Sequence, residues 1–309
     1  MSKRFLSVIF LFLICLNGCI PPGLDEYEKG KESLNENRYI SAVEYFTRAI
    51  NIDSLNAEYY FQRANAFVGL GDYEKAFFDF SKAIEIDSTN SKFFLNRGQL
   101  YSDNSNYLEA IADFKSARKI EPQNPLPNFN LGYSSYLAGD NESAIKFYTD
   151  AINSDSTFIK AFVNRGNVYS ELDSSEKAIN DFTSAIKLNP NDERAFANRA
   201  SEYFTIGDFQ NSIDDLTEAI NLDNQNPKYY YSRAEAKINL GNFLGAASDY
   251  TYIISLDSTD ATAYYNRGIC YANIDLKDNA CEDFVKAGEL GFFEAYEVIN
   301  KYCGKNKKK

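Results

Sequence analysis

The 309-residue chain contains no histidine. That absence removes the Ser-His-Asp and Cys-His nucleophile pairs, histidine-ligated zinc and the HExxH metalloprotease site. Positive charge is also short, with 32 Lys and Arg against 44 Asp and Glu and a formal charge of -12. Nucleic-acid binding is driven by neutralising phosphates with Lys and Arg, so no nucleic-acid partner is expected. The five cysteines form no CxxC motif, and no metal or cofactor is expected. Long apolar runs are scarce as well. The run from Phe5 to Leu16 is shorter than the roughly 20 residues that span a hydrocarbon core as helix.

Lys3 and Arg4 precede that run, which ends in Leu16-Asn17-Gly18-Cys19. A short basic region followed by a short apolar one reads as a signal peptide. The four closing residues resemble the lipobox of bacterial lipoproteins. The resemblance implies that residues 1–18 are removed, that Cys19 carries the acyl chains, and that 19–22 form a short tether to the bilayer. It implies a place in the bacterial cell envelope, at the outer membrane rather than the inner, on a face left open. The plainer alternative is an uncleaved anchor or a secreted chain with a chance cysteine. Lysines crowd the other terminus, 305–309, as a solvated basic tail.

Between these ends a 34-residue period organises the chain. Rows 23–56, 57–90, 91–124, 125–158, 159–192, 193–226, 227–260 and 261–294 align in columns. Row position 8 is always Gly or Ala, position 20 is Ala with Ser212 the exception, and position 24 is aromatic except for Leu216. Apolar positions 4, 8 and 11, then 20, 24 and 27, recur at helical spacing around a turn near position 15. Each row therefore reads as a helical hairpin, its small residues letting helices A and B approach closely. The seven prolines stand between rows or in the lead-in, never inside a predicted helix.

The period, the small positions 8, 20 and 27 and the aromatic 24 resemble the tetratricopeptide repeat. The resemblance implies an all-α fold: a right-handed α-solenoid, or superhelix, of eight hairpins over 23–294, closed by a capping helix at 295–304. Rows 1 and 4 depart most, with Glu26 and Asn128 where position 4 is aromatic elsewhere.

Two charged columns come and go together. Position 7 is Arg in six rows (Arg63, Arg97, Arg165, Arg199, Arg233, Arg267), and position 23 is Asp in the same six (Asp79, Asp113, Asp181, Asp215, Asp249, Asp283). Rows 1 and 4 lack both. Pairing within each row leaves no partner missing, so these residues are expected as structural ion pairs rather than a ligand-binding stripe.

Family geometry implies that positions 2, 5, 6, 9 and 13 of helix A line a concave groove. Position 6 supplies Gln62, Asn96, Asn130, Asn164, Asn198 and Asn266, amides able to grip the backbone of an extended peptide. Position 5 supplies Phe61, Phe129, Tyr231 and Tyr265 as flat apolar surface. Lys92, Lys160, Arg194 and Lys228 add a positive edge at position 2, whereas the position-5 lysine used by relatives that bind chaperone tails is missing. Cys281 and Cys303 are placed to staple the cap as a disulfide, or remain buried thiols. The function implied is a lipid-anchored, non-catalytic adaptor or assembly scaffold that binds a protein or peptide; a glycan- or nutrient-capture lipoprotein is the alternative.

Overall fold

A computed structural model describes residues 21–304; the segment bearing Cys19 and the lysines of 305–309 lie outside the described residues. Its described residues form α-helices and one π-helical turn, in two compact units that divide between Ser143 and Ala144. The first unit holds α1 (Leu24–Asn35), α2 (Tyr39–Ile52), α3 (Ala57–Leu70), α4 (Tyr73–Ile86), α5 (Ser91–Asp103) and α6 (Tyr107–Ile120). It ends with α7 (Pro125–Leu137) and the start of α8 (Asn141–Ser154). The second continues through α9 (Ile159–Glu171), α10 (Ser175–Leu188), α11 (Glu193–Thr205), α12 (Phe209–Leu222), α13 (Pro227–Asn239) and α14 (Phe243–Leu256). It closes with α15 (Ala261–Asn273), α16 (Lys277–Glu289) and the short α17 (Glu294–Val298). Among the described residues, no helix is long and apolar enough to cross a membrane.

Within each unit the fold is a series of helical hairpins: an A helix packs on the B helix after it, as α3 on α4 and α9 on α10, and a B helix packs on the next A helix, as α4 on α5 and α10 on α11. Position 34 of a row stands at the start of the next row's A helix. The side chains of Asn56, Asn90, Asn124, Asp192, Asn226 and Asp260 accept a backbone N–H of the first turn, each such cap being worth about 1 kcal/mol. Phe158 stands at that position before α9 and makes no such bond. Pro125 and Pro227 take the first helical position, where no N–H is needed.

The A-to-B turn is left-handed at position 15 in every row. Gly71, Gly139, Gly207 and Gly241 have φ of 75–82°, and Asn37, Ser105, Asp173 and Asp275 have φ of 52–62°. Glycine carries no Cβ penalty there, and short polar side chains tolerate it best among the rest. Small residues at position 8 have an equally local cause. A Cβ added at Gly98, Gly166 or Gly268 would lie 2.8 Å from the ring of Phe114, Phe182 or Phe284, the buried position-24 residue of the same row.

At the C-terminus α17 begins at Glu294, one residue before the expected cap, and passes into a π-helical turn over Ile299–Cys303. Phe292 stacks on Tyr265 with centroids 4.5 Å apart, Ala295 is fully buried, and Cys303 is joined to Cys281 of α16. The remaining described thiol, Cys270, is buried in the core of the second unit, and burial pushes its pKa up to about 11.

Candidate peptide-binding face

An A helix with a B helix on either side, as α3, α5, α11, α13 and α15 have, is buried over a wide arc. Position 3 (Tyr59, Phe93, Ala161, Ala195, Tyr229, Ala263) is buried along with position 8. Positions 2, 6, 9 and 13 lie at i, i+4, i+7 and i+11, one stripe of a helix, and remain exposed or half-buried. The stripe is polar and amide-rich. Asn96 and Asn164 each donate one amide N–H to the carbonyl four residues back, Lys92 and Lys160, at 2.9 and 2.8 Å. Gln62 donates to Glu58 Oε1 at 2.7 Å, and Asn198 reaches across to Asn167 Oδ1 of the preceding row at 3.2 Å. Asn130 and Asn266 are half-buried on the same stripe. An amide that spends one N–H on its own helix retains its oxygen and second N–H for a ligand.

Position 5 lies beside this stripe rather than on it, and for Phe61 the structure corrects the expectation of an exposed ring. Phe61 is buried, tilted against Phe80 at 5.8 Å and Phe93 at 5.0 Å. Tyr231 packs edge-on to Tyr250 at 5.7 Å and donates its hydroxyl to Asp260 Oδ2 at 2.8 Å. Burial and that carboxylate hold the Tyr231 phenol well above its ordinary pKa. Tyr265 lies between Phe284 and Phe292. Phe129 is half-buried. The rings of Phe61, Tyr231 and Tyr265 thus pack inward, and the stripe is mostly amides, hydroxyls and charges, with Leu126, Tyr133 and Leu137 as its exposed apolar members in row 4.

Beneath the face runs a ladder of ion pairs. Each Arg at position 7 makes a two-pronged contact with the Asp at position 23 of its own row, N···O distances being 2.7–3.2 Å. The aspartates are buried, 1–6% exposed. The hydrogen bonds that Arg97, Arg199 and Arg267 donate to Asp113, Asp215 and Asp283 hold these guanidinium groups above the ordinary arginine pKa. Rings at positions 4 and 11 flank the guanidinium at 5.4–6.0 Å, such as Phe196 and Tyr203 around Arg199. In row 7 the position-11 residue is Lys237, whose ammonium joins Arg233 on Asp249 at 2.7 Å.

One partner escaped the sequence reading. The remaining guanidinium nitrogen of each arginine donates to a hydroxyl at position 25 of the preceding row: Thr47, Ser81, Thr149, Thr183, Thr217 or Thr251, at 2.8–3.1 Å. Every clamp therefore joins two rows as well as two helices. The signal was in the columns, because the position-25 residue before arginine-less row 4 is Lys115.

Models described as tetratricopeptide repeat match residues 57–90, 159–192, 80–112 and 193–226. Among curated proteins there is no match. Among solved structures, the C-terminal part of a tetratricopeptide-repeat protein from Cytophaga hutchinsonii is 20% identical, with 78% of this chain and 98% of that one covered and a TM-score of 0.67. A tetratricopeptide-repeat protein from Parabacteroides merdae is 22% identical over 80% of this chain and 97% of its own, with a TM-score of 0.55. YrrB, described as having an unusual peptide-binding site, is 21% identical over 60% of this chain and 97% of its own, also with a TM-score of 0.55. The models cover residues 57–112 and 159–226, and over those stretches the period and the hairpin geometry are those of tetratricopeptide repeats, while the solved structures share the fold.

Proposed function

We propose that the protein is a lipid-anchored adaptor of the bacterial envelope that holds an extended segment of a partner protein along its A-helix face. The observation that carries this reading is the division within each A helix. The position-5 rings Phe61, Tyr231 and Tyr265 pack inward, while positions 2, 6, 9 and 13 keep a largely polar stripe with an amide at position 6 in six rows. Repeated amides suit a repeated ligand, and a peptide backbone offers a donor and an acceptor at every residue. The peptide-binding site named for YrrB is consistent with this use of the fold. The anchor rests on Lys3, Arg4, the Phe5–Leu16 run and Cys19. Catalysis forms no part of the proposal, since the chain has no histidine and its buried aspartates are spent on arginines.

Photoreactive groups at Asn96, Asn164 and Asn266, with Glu85 and Glu218 on B helices as controls, test the face in intact cells. A discrete protein captured from the first set alone is the expected result. Capture that survives protease but is lost with periodate would replace the peptide by a glycan, and equal capture from both sets would overturn the reading. The anchor has its own measurement: an alkyne-tagged fatty acid should label the wild type and fail to label Cys19→Ala.

A further inference from the structure

Row 6 breaks three columns at once, and the breaks meet in space. Position 5 is Ala197 where rows 1, 2, 7 and 8 carry rings that pack on the position-24 ring with centroids 5.6–5.9 Å apart. Position 24 is Leu216, the non-aromatic member of its column, and position 20 is Ser212, where the other seven rows have Ala. With neither ring present, a pit of about 130 Å³ opens between rows 6 and 7. Ala200, Ser212 and Leu216 form its buried floor, Ala197 and Phe204 its half-buried sides, and Glu235 stands exposed at its rim. Ser201 and Glu235 at position 9 and Ser232 at position 6 line the exposed rim, so the pit opens onto the amide-bearing stripe.

We infer that this pit receives a tyrosine side chain of the bound segment, followed by a basic residue; the inference rests on the peptide-binding reading. A cavity of about 150 Å³ lined by apolar groups holds a benzene ring, so the volume fits one ring and little more. The floor is apolar apart from the Ser212 hydroxyl, which suits a ring with a polar tip better than a bare ring. A lysine or arginine head pushed to that floor would be buried without a carboxylate, because Glu235 lies at the rim. At the rim the same carboxylate favours a cationic neighbour and opposes an acidic one. The array already contains this chemistry one row on, where the ring of Tyr231 packs against Tyr250 and its hydroxyl is given to Asp260.

The test uses the purified chain with p-cresol and toluene as probes for the pit, read by ligand-observed NMR titration. N-acetyl-Tyr-Lys-amide and N-acetyl-Tyr-Glu-amide probe the rim. Saturable p-cresol binding, weakened about tenfold in Ala197→Phe, which puts back the ring that row 2 has in Phe61, is the expected result. Ser212→Ala should erase a roughly fivefold preference for p-cresol over toluene, the worth of one neutral hydrogen bond. The lysine dipeptide should bind more tightly than the glutamate one, and Glu235→Gln should level them. Absence of saturable p-cresol binding, or equal binding by a folded Ala197→Phe, overturns the inference. Crosslinking of a partner at Asn164 in cells together with either result leaves the peptide reading standing while the pit falls. Binding of p-cresol without any crosslinked protein does the reverse.

Discussion

Rows 3 and 4 are neighbours with the same period, yet they solve one packing problem in different ways. In row 3, Arg97 sits between its own Asp113 and Ser81 of row 2. In the row 4 sequence the same three columns carry Leu131, Phe147 and, from row 3, Lys115. Leu131 is fully buried, so an apolar side chain can occupy the place that elsewhere takes a guanidinium. Lys115 is exposed, where the hydroxyls it replaces each accept a hydrogen bond from an arginine. The difference teaches that the clamp is a unit of three residues, present whole or absent whole. A buried aspartate without its arginine would be an uncompensated charge, whereas an all-apolar version needs no partner.

Breaking one clamp should give the largest effect. Arg97→Leu leaves Asp113, 5% exposed, without its cation, and should cost about 3–5 kcal/mol in urea denaturation. Adding Asp113→Leu to it should recover most of that loss by moving row 3 toward the apolar solution of row 4. Additive losses in the two changes would contradict the unit. Row 7 offers a weaker break: Arg233→Leu leaves Lys237 on Asp249 at 2.7 Å and should cost roughly half as much. An equal loss from Arg233→Leu and Arg97→Leu would show that Lys237 contributes nothing.

The 34-residue period, the hairpins and the in-row pairing of Arg97 with Asp113 were legible because each leaves a repeated mark in one sequence. Two things were not. The hydroxyls at position 25 were missed because pairing was sought inside rows, while Thr217 serves Arg233 of the next one. Position 5 was assigned to the face because the family's geometry places it there beside position 6. A helix packed on two sides buries more than one stripe, and Phe61, one residue from Gln62, is turned about 100° away from it into the core. The pit of row 6 was visible as three odd letters, Ala197, Ser212 and Leu216, but only the fold shows that they line one space.

The smallest effect is the most selective. Thr and Val have nearly the same shape and helix propensity, so exchanging them isolates the hydroxyl. At position 217 the change to Val removes the acceptor 3.1 Å from the Arg233 guanidinium and should cost about 1 kcal/mol, since nearby water replaces part of the bond. At position 115 the same pair, compared as Lys115→Thr and Lys115→Val, should differ by no more than about 0.3 kcal/mol, because Leu131 has no donor to offer. Each comparison is read as a shift in the urea midpoint at constant slope. A Thr-to-Val difference at 115 as large as that at 217 would mean that the hydroxyl acts through its own helix rather than through the arginine of the next row. Thr217 gives that alternative a real basis, since its hydroxyl also donates to the Ile213 carbonyl at 2.7 Å. The clamp reading therefore requires the penalty to follow the arginine: Thr183→Val should cost about as much as Thr217→Val, because Arg199 donates to Thr183 at 3.0 Å.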